Sequence, residues 1–379
     1  MQLETFNFIE GKGWSIPSFP KLDSENTLVL VFCAPKFIDN PKPLGEIIKA
    51  YPSSKITGCS SAGEIFGPLI NDNSLSVAVV KFDKTRIQIL SEIIQDSKAS
   101  FQTGVQLAKR LIKEDLKTIL VLSEGLNVNG SELVKGFNDS LPNNVVVTGG
   151  LSGDGSAFKR TWVISNGKPV TNTVVAVGLY GKDLKVGHGS KGGWDSFGPE
   201  RHITRSVGNV LYELDGKPAL ELYKEYLGER AEGLPATGLL FPLTIRKNSN
   251  DEAQLVRTIL AVDEKDHSLT FAGDVPTGYL AKLMRANFDR LVTGANEAAL
   301  TAKNGIAENG PTLAIAISCV GRRLLLGERT EEETEATLDM LPKGTAQVGF
   351  YSYGELSPYG TGNCDLHNQT MTLTTYQEN

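Results

Sequence analysis

Cysteine and histidine are scarce in this 379-residue chain, four of each, and their spacing removes several chemistries at once. Cys33, Cys59, Cys319 and Cys364 form no CxxC pair, so neither a zinc knuckle nor a thioredoxin-type dithiol is encoded. A reduced, cytoplasmic protein is the simple reading. The four histidines show no HxxxH or HExxH spacing, which removes the usual protein-only metal sites. No segment stays apolar long enough to span a bilayer. The start, Met1-Gln2-Leu3-Glu4-Thr5-Phe6, lacks the basic cluster and apolar stretch of a signal peptide. No membrane partner is expected. Lys and Arg number 38 against 44 Asp and Glu, a net charge of -6, with no basic run interleaved with aromatics. A nucleic-acid partner is therefore not expected either.

What is present is an ordinary globular composition, 40% hydrophobic and 22% charged, at a length that suits two substantial modules. Glycine, at 39 residues, is the outlier, and the places where it clusters are the first candidates for function. The apolar run Thr27 to Cys33 predicts a buried strand. A helix follows from Leu44 to Tyr51, then a strand at Lys55 to Thr57 that opens into Gly58-Cys59-Ser60-Ser61-Ala62-Gly63-Glu64. Helical spacing over Phe101 to Lys113 precedes a strand at Thr118 to Leu122, and Ser131 is the expected cap of the next helix. Val145 to Thr148 runs into Gly149-Gly150-Leu151-Ser152-Gly153-Asp154-Gly155, and Asn166-Gly167 signals a hairpin. Pro218 opens a helix after the Asp215-Gly216 turn, where a module boundary is placed.

Beyond it, the strand Thr312 to Cys319, the helix Glu331 to Met340 and the strand Gln347 to Tyr353 repeat the grammar of 119–154 and suggest a duplication of two halves. Alternating strands and helices with hairpin-like connections predict a layered α/β fold, with mixed β-sheets packed together and flanked by helices.

The Gly58 to Gly63 loop offers backbone N–H groups, two hydroxyls and a thiol to an anionic or amino-acid-like ligand. It also reads as a tight packing turn. Its spacing fits neither the phosphate loop nor the dinucleotide fingerprint, which excludes kinase and dehydrogenase readings. Asp154 would bind an amine or hold neighbouring N–H groups, and Arg322 in Cys319-Val320-Gly321-Arg322-Arg323 would clamp a carboxylate or be solvated. His188, flanked by Gly187 and Gly189 and followed by Trp194, is the best histidine for a flat ligand. A rival reading makes the protein a hydrolase using Cys59, Asp154 or His367, which requires nucleophile, base and oxyanion donors to converge.

The two Gly-rich loops together resemble the N-terminal half of the FIST family of sensory proteins. Gly208 to Leu220, Cys319-Val320-Gly321-Arg322, Gly349-Phe350-Tyr351-Ser352-Tyr353-Gly354-Glu355 and Leu366-His367-Asn368-Gln369-Thr370 are similar to its junction and C-terminal half. The resemblance covers nearly the whole chain. It implies FIST modules at 25–216 and 217–365 and a C-terminal tail at 366–379. It also implies a non-enzymatic, ligand-sensing role in signal transduction, with amino acids among the ligands proposed for the family.

Free-standing bacterial members bind haem, sense nitric oxide and regulate a histidine kinase or a cyclic-di-GMP enzyme, that is, a diguanylate cyclase or phosphodiesterase. Resemblance to that branch implies non-covalent haem b, for which His188 is the best-suited axial ligand, and signalling by contact; a homodimer is among the expected partners. The expected ligand-binding residues are Cys59, Ser60, Ser61, Gly63, Gly150, Asp154, Trp194, Arg322 and Glu355, with His188 for haem.

Overall fold

A computed structural model describes residues 1–251, 254–359 and 362–378. The chain is a mixed α/β protein in which one order of elements occurs three times. In the first repeat a strand (Thr27–Cys33) passes through a helix (Lys42–Ala50) to a parallel partner (Lys55–Ser60). A hairpin (Glu64–Phe66, Leu69–Asn71), an antiparallel return strand (Ser74–Lys81) and an outer strand (Arg86–Ile93) follow.

The second repeat runs Leu116–Ser123, helix Gly130–Asn138, Val146–Leu151, hairpin Val163–Ser165 and Lys168–Val170, return strand Thr173–Tyr180, outer strand Leu184–Lys191. In the third, Leu313–Cys319 leads through helices Val320–Leu326 and Thr330–Met340 to Ala346–Ser352. The hairpin Gly354–Pro358 and Cys364–His367 and the return strand Met371–Glu378 complete it.

Each repeat lends strands to its neighbours. Each of the three sheets built by the repeats holds the parallel pair and return strand of one repeat and the hairpin of the following one, taken cyclically. Beyond the return strand lies the outer strand of the preceding repeat, a place that Gln2–Ile9 fills in the first sheet, with the short strand Gly13–Trp14 outside it. The duplication expected of two halves is thus a triplication, two copies in the N-terminal half and one in the C-terminal half.

Side-chain alternation builds the core from these sheets. Leu28, Leu30 and Phe32 point inward to meet Leu120 and Leu122 of the second sheet and Ile315 and Ile317 of the third. Phe32 stacks on Phe350 at 5.0 Å. The intervening Val29, Val31 and Cys33 pack outward with Leu44 and Ile47 of the covering helix. Full burial of each large aliphatic contributes roughly 1.5–3 kcal/mol, which is why strands apolar on both faces are stable only inside such layers. One glycine per repeat lets the parallel pair close. A Cβ on Gly58, Gly149 or Gly349 would lie 1.8 Å from the carbonyl oxygen of Val31, Val121 or Ala316 respectively.

Residues 195–285 form a separate eight-stranded sheet with its own core around Leu211, Leu220, Tyr223, Leu269 and Phe271. It is inserted between the second and third repeats. The Asp215-Gly216 turn lies inside this sheet, between the antiparallel strands Val210–Leu214 and Lys217–Pro218. The 366–379 segment contains the return strand Met371–Glu378, paired on both sides. One local expectation changes. The cap of the helix Gly130–Asn138 is Asn129, whose side chain accepts from the Glu132 N–H at 3.1 Å, and not Ser131. Val320 to Leu326, which follows directly on the strand Leu313–Cys319, is helical.

Candidate functional site

The parallel strands of all three repeats end in a common ring of backbone hydrogen bonds. The N–H of Ala62 donates to the Tyr351 carbonyl at 2.8 Å, that of Gly153 to Ser60 at 3.1 Å, and that of Tyr353 to Leu151 at 3.1 Å. Donors stand four residues, and acceptors two residues, beyond the crowded glycine of their own repeat. Each repeat therefore reaches back to the one before it, and loops carried on strand ends converge here, where α/β proteins commonly place ligands.

Around this ring the repeats differ. The Ser61 hydroxyl bonds the Glu64 carboxylate, which accepts from the Ser74 N–H and hydroxyl at 3.0 and 2.7 Å. In the third repeat Ser352 donates to Glu355 at 2.6 Å, and Glu355 accepts from the Thr370 hydroxyl at 2.9 Å. Burial pushes the two carboxyls up, Glu64 to about 7 and Glu355 to about 8, against the opposing effect of these hydrogen bonds. The second repeat has Val163 in the corresponding register position, and its Ser152 donates only to the Ser123 carbonyl at 2.8 Å.

Residues 153–162 loop out there instead, organised by Asp154. Its carboxylate accepts from the N–H groups of Phe158, Lys159 and Arg160 at 2.9, 2.8 and 2.8 Å and from the Tyr353 hydroxyl. Burial opposes its charge, yet these bonds hold it below its ordinary value. The loop presents Phe158, which stacks on Tyr353 with ring centroids 4.4 Å apart.

That aromatic pair forms one wall of a cavity of about 460 Å³ at the seam between the repeats and the inserted sheet. Leu126, Leu151, Val320 and Leu324 line it from the repeats, and Leu234, Leu239, Ile259 and Phe271 from the insertion. Among the described residues that line it none is charged. Cys319 lies at its base, its thiol pushed up to about 12 by burial. Asn368 also lines it, is 1% exposed, and has neither carboxamide atom hydrogen-bonded. Thr258, on the insertion side, likewise has a buried hydroxyl without a partner.

A more open, polar groove of about 550 Å³ lies across Val320 and Leu324. It is lined by Ala62, Gly155, Ser156 and Arg323, which is itself tied to the Ala62 carbonyl at 2.6 Å and to Asp72 at 2.8 Å.

The expected site residues fall into several groups. Ser60, Ser61, Gly63, Gly150, Asp154 and Glu355 gather at the ring. The Ser60 hydroxyl accepts from the Trp162 N–H, and Gly63 lies against the Arg323 guanidinium. Arg322 is fully buried and points away from the cavity. It pairs with Glu333 at 2.7 Å and donates to the carbonyls of Leu291, Gly192 and Gln369. Trp194 is packed against Met284, Leu291 and Leu326, its indole N–H on the Gln369 carbonyl at 2.8 Å.

Cys59 is sealed in the central core, where burial raises its thiol. Among the described residues no hydrogen bond joins it to an imidazole. His367 gives its Nε2 to the Ser357 carbonyl at 2.9 Å and is lowered by burial to about 4. His188 sits on the edge strand opposite Thr374, lowered by burial, its Nδ1 without a partner. It borders a cavity of about 60 Å³ beside Asn138 and Cys364. Among the described residues no cluster of three or more His, Cys, Asp or Glu side chains could hold a metal ion, and no helix is long and apolar enough to cross a membrane.

Sequence reading missed the insertion wall, Phe158, and the roles of Tyr353, Cys319 and Asn368. A signal existed for the last: Asn368-Gln369 is a polar pair set between the strands Cys364–His367 and Met371–Glu378, the second of them buried throughout and the first at all but Asp365.

A family model described as the FIST N domain matches residues 27–217, and one described as the FIST C domain matches residues 219–358. An uncharacterized protein of Methanocaldococcus jannaschii is 34% identical over 88 residues, 22% of this chain. This chain spans 16% of the length of that relative. A structure of cyanuric acid hydrolase from A. caulinodans aligns over 99% of both chains at 8% identity with a TM-score of 0.39, too distant to bear on fold or function.

Proposed function

The chain belongs to the FIST family, whose domains are ligand-sensing modules of signal transduction, and from that membership we propose that it senses a small molecule held in the cavity between the repeats and the inserted sheet. The observation that carries this reading is a cavity of about 460 Å³, within the size range of small-molecule sites, bordered by a buried Asn368 whose carboxamide is unpaired. Occupancy would bridge the loop at Asp154, the helix Val320–Leu326 and the insertion. A ligand that favours one placement of the insertion shifts that equilibrium by its differential affinity and no more. The output we propose is contact with a partner histidine kinase or cyclic-di-GMP enzyme.

Hydrogen exchange tests the site. A molecule that raises the melting temperature should slow exchange at 234–240 and 320–326 together, and Ala272→Trp, which fills the cavity, should remove both effects. Protection confined to other segments would overturn the reading.

Haem bound at His188 and sensing nitric oxide is the second reading, favoured by the unpartnered Nδ1 of that imidazole. The residues around it do not fit a macrocycle as they stand, because the adjoining cavity of about 60 Å³ is far below the ~300 Å³ at which cofactor pockets begin. Hemin titration followed by absorbance in the oxidised, reduced and nitric-oxide states decides it. A Soret band that His188→Ala removes supports haem, and a protein that stays colourless ends that reading.

A further inference from the structure

Buried polar atoms in native proteins nearly always have partners, so those that do not ask for an explanation. Asn368 and its neighbour Gln369 are 1% and 0% exposed, and all four of their side-chain amide atoms are unpaired. The backbone around them is fixed. Gln369 is held at φ +60, its carbonyl takes the Trp194 indole N–H at 2.8 Å, and Thr370 is clamped by Glu355. Gly321 leaves room for the Gln369 amide, since a Cβ there would come within 2.6 Å of it. Asn368 lines the cavity on this rigid support, and its buried carboxamide holds an unused N–H donor and an unused carbonyl acceptor side by side. Across the cavity stands the unpartnered Thr258 hydroxyl.

Among the described residues that line the cavity none carries a charge. Asp154 spends its carboxylate on its own loop and Tyr353, and Arg257 turns its guanidinium to the carbonyls of Asp274 and Leu366. A carboxylate or ammonium group entering this cavity would lose its water without gaining a counter-charge. A free amino acid, charged at both ends, would suffer this twice.

Resting on the reading of this cavity as the sensory site, we infer that its ligand is a neutral, largely apolar molecule with one amide or lactam edge, a C=O beside an N–H, that pairs with the Asn368 carboxamide. The stacked Phe158 and Tyr353 rings favour an aromatic or flat body. Exchanging donor and acceptor with Asn368 satisfies both partners, whereas an anion leaves the Asn368 carbonyl opposed by another acceptor.

Three molecules of closely similar shape test this by calorimetry on the full chain: 3-phenylpropanamide, 3-phenylpropanoate and 3-methylbutylbenzene. The amide is expected to bind at least about ten-fold tighter than either of the others, and Asn368→Leu should remove its advantage over the hydrocarbon while the carboxylate stays the weakest of the three. Asn368→Asp should weaken the amide further, and circular dichroism checks that each variant is folded. The comparison in the unaltered protein stands even where neither variant folds.

Carboxylate binding equal to or tighter than amide binding, lost in Ala272→Trp, overturns the ligand class and leaves the cavity as the site. Amide binding that survives Ala272→Trp overturns both. Failure of all three molecules to bind at about millimolar concentration overturns the ligand class, and the exchange experiment above then judges the cavity by itself.

Discussion

The first and third repeats close their strand ends with a buried Ser-x-x-Glu turn; the second does not. Ser61, Glu64 and Ser74 have the same arrangement as Ser352, Glu355 and Thr370, down to the hydroxyl and N–H donors on the second carboxylate oxygen. In the second repeat the Ser and Thr positions persist as Ser152 and Thr173, but Val163 replaces the acid and a ten-residue loop, 153–162, springs from the gap. The cavity opens beside this altered repeat. Two copies thus serve as scaffold while the second repeat, freed of its internal closure, supplies a ten-residue loop and, in Phe158, one ring of the aromatic wall. The proposed site lies where the symmetry is broken.

The equivalence itself can be broken most severely at the glycines. Because Gly58, Gly149 and Gly349 each approach a neighbouring carbonyl so closely, alanine at any of them should cost more than about 4 kcal/mol and prevent folding. Gly155→Ala, at φ +72 with open space around it, should cost only about 1 kcal/mol. Chemical denaturation of the set checks this, and a tolerated Gly349→Ala would show that the third repeat is not held as the first two are.

The next largest effect separates the third repeat from the others. Among the described residues, only its crossover between the parallel strands holds a buried ion pair, Arg322 of the helix Val320–Leu326 to Glu333 of the helix Thr330–Met340, with Ser318 and Tyr351 also donating to Glu333 at 2.9 and 2.7 Å. Arg322→Met should lose about 3–5 kcal/mol, since it strands a buried carboxylate. The double variant Arg322→Met with Glu333→Leu should recover part of that loss, and an additive cycle would mean the two residues act independently.

Protonation sharpens the contrast between closed and open repeats. An acid whose pKa is raised on folding keeps a proton that the unfolded chain releases, so stability falls as pH rises from its unfolded to its folded value. For Glu64 that window runs from 4.5 to about 7, and for Glu355 from 4.5 to about 8. Each should contribute a slope of roughly 1.4 kcal/mol per pH unit inside its window. His367, buried and lowered from 6.5 to about 4, acts in the opposite direction below 6.5. The clean range therefore lies above 6.5, where Glu355→Gln should flatten the decline more than Glu64→Gln. A decline unchanged in both variants would place the titration elsewhere.

Much of this scaffold was legible in the sequence. The runs Thr27–Cys33 and Leu313–Cys319, the Gly-rich strand ends and the helix from Glu331 to Met340 all announced themselves through apolar density, small residues and periodicity. The triplication did not, because strand exchange between repeats is a long-range fact: the hairpin at Glu64 pairs with Phe350, far along the chain. The site was half legible for the same reason. Local chemistry pointed to Asp154 and the Gly-rich loops. The partners that complete the cavity, such as Ile259, Leu239 and Asn368, come from distant segments with no motif of their own. Arg322 was misleading in a third way, as a charged residue on a conspicuous motif that burial turned into a brace.

The smallest expected effect falls on the open repeat and bears most directly on sensing. Asp154→Asn removes the charge from an acceptor of three backbone N–H groups and the Tyr353 hydroxyl, so the loop should loosen while the central core is untouched. A loss of about 1 kcal/mol is expected. Its pH signature has the opposite sign to that of Glu64 and Glu355: the pKa of Asp154 is lowered from 3.8, so its contribution is present above that value and disappears as the solution is acidified below it. Hydrogen exchange should rise at 155–160 and stay unchanged at 27–33. Because Phe158 rides on this loop, affinity for a cavity ligand should fall together with the protection of 155–160. Loosening without loss of affinity would show that the aromatic wall is dispensable, and that the third repeat and the insertion hold the ligand by themselves.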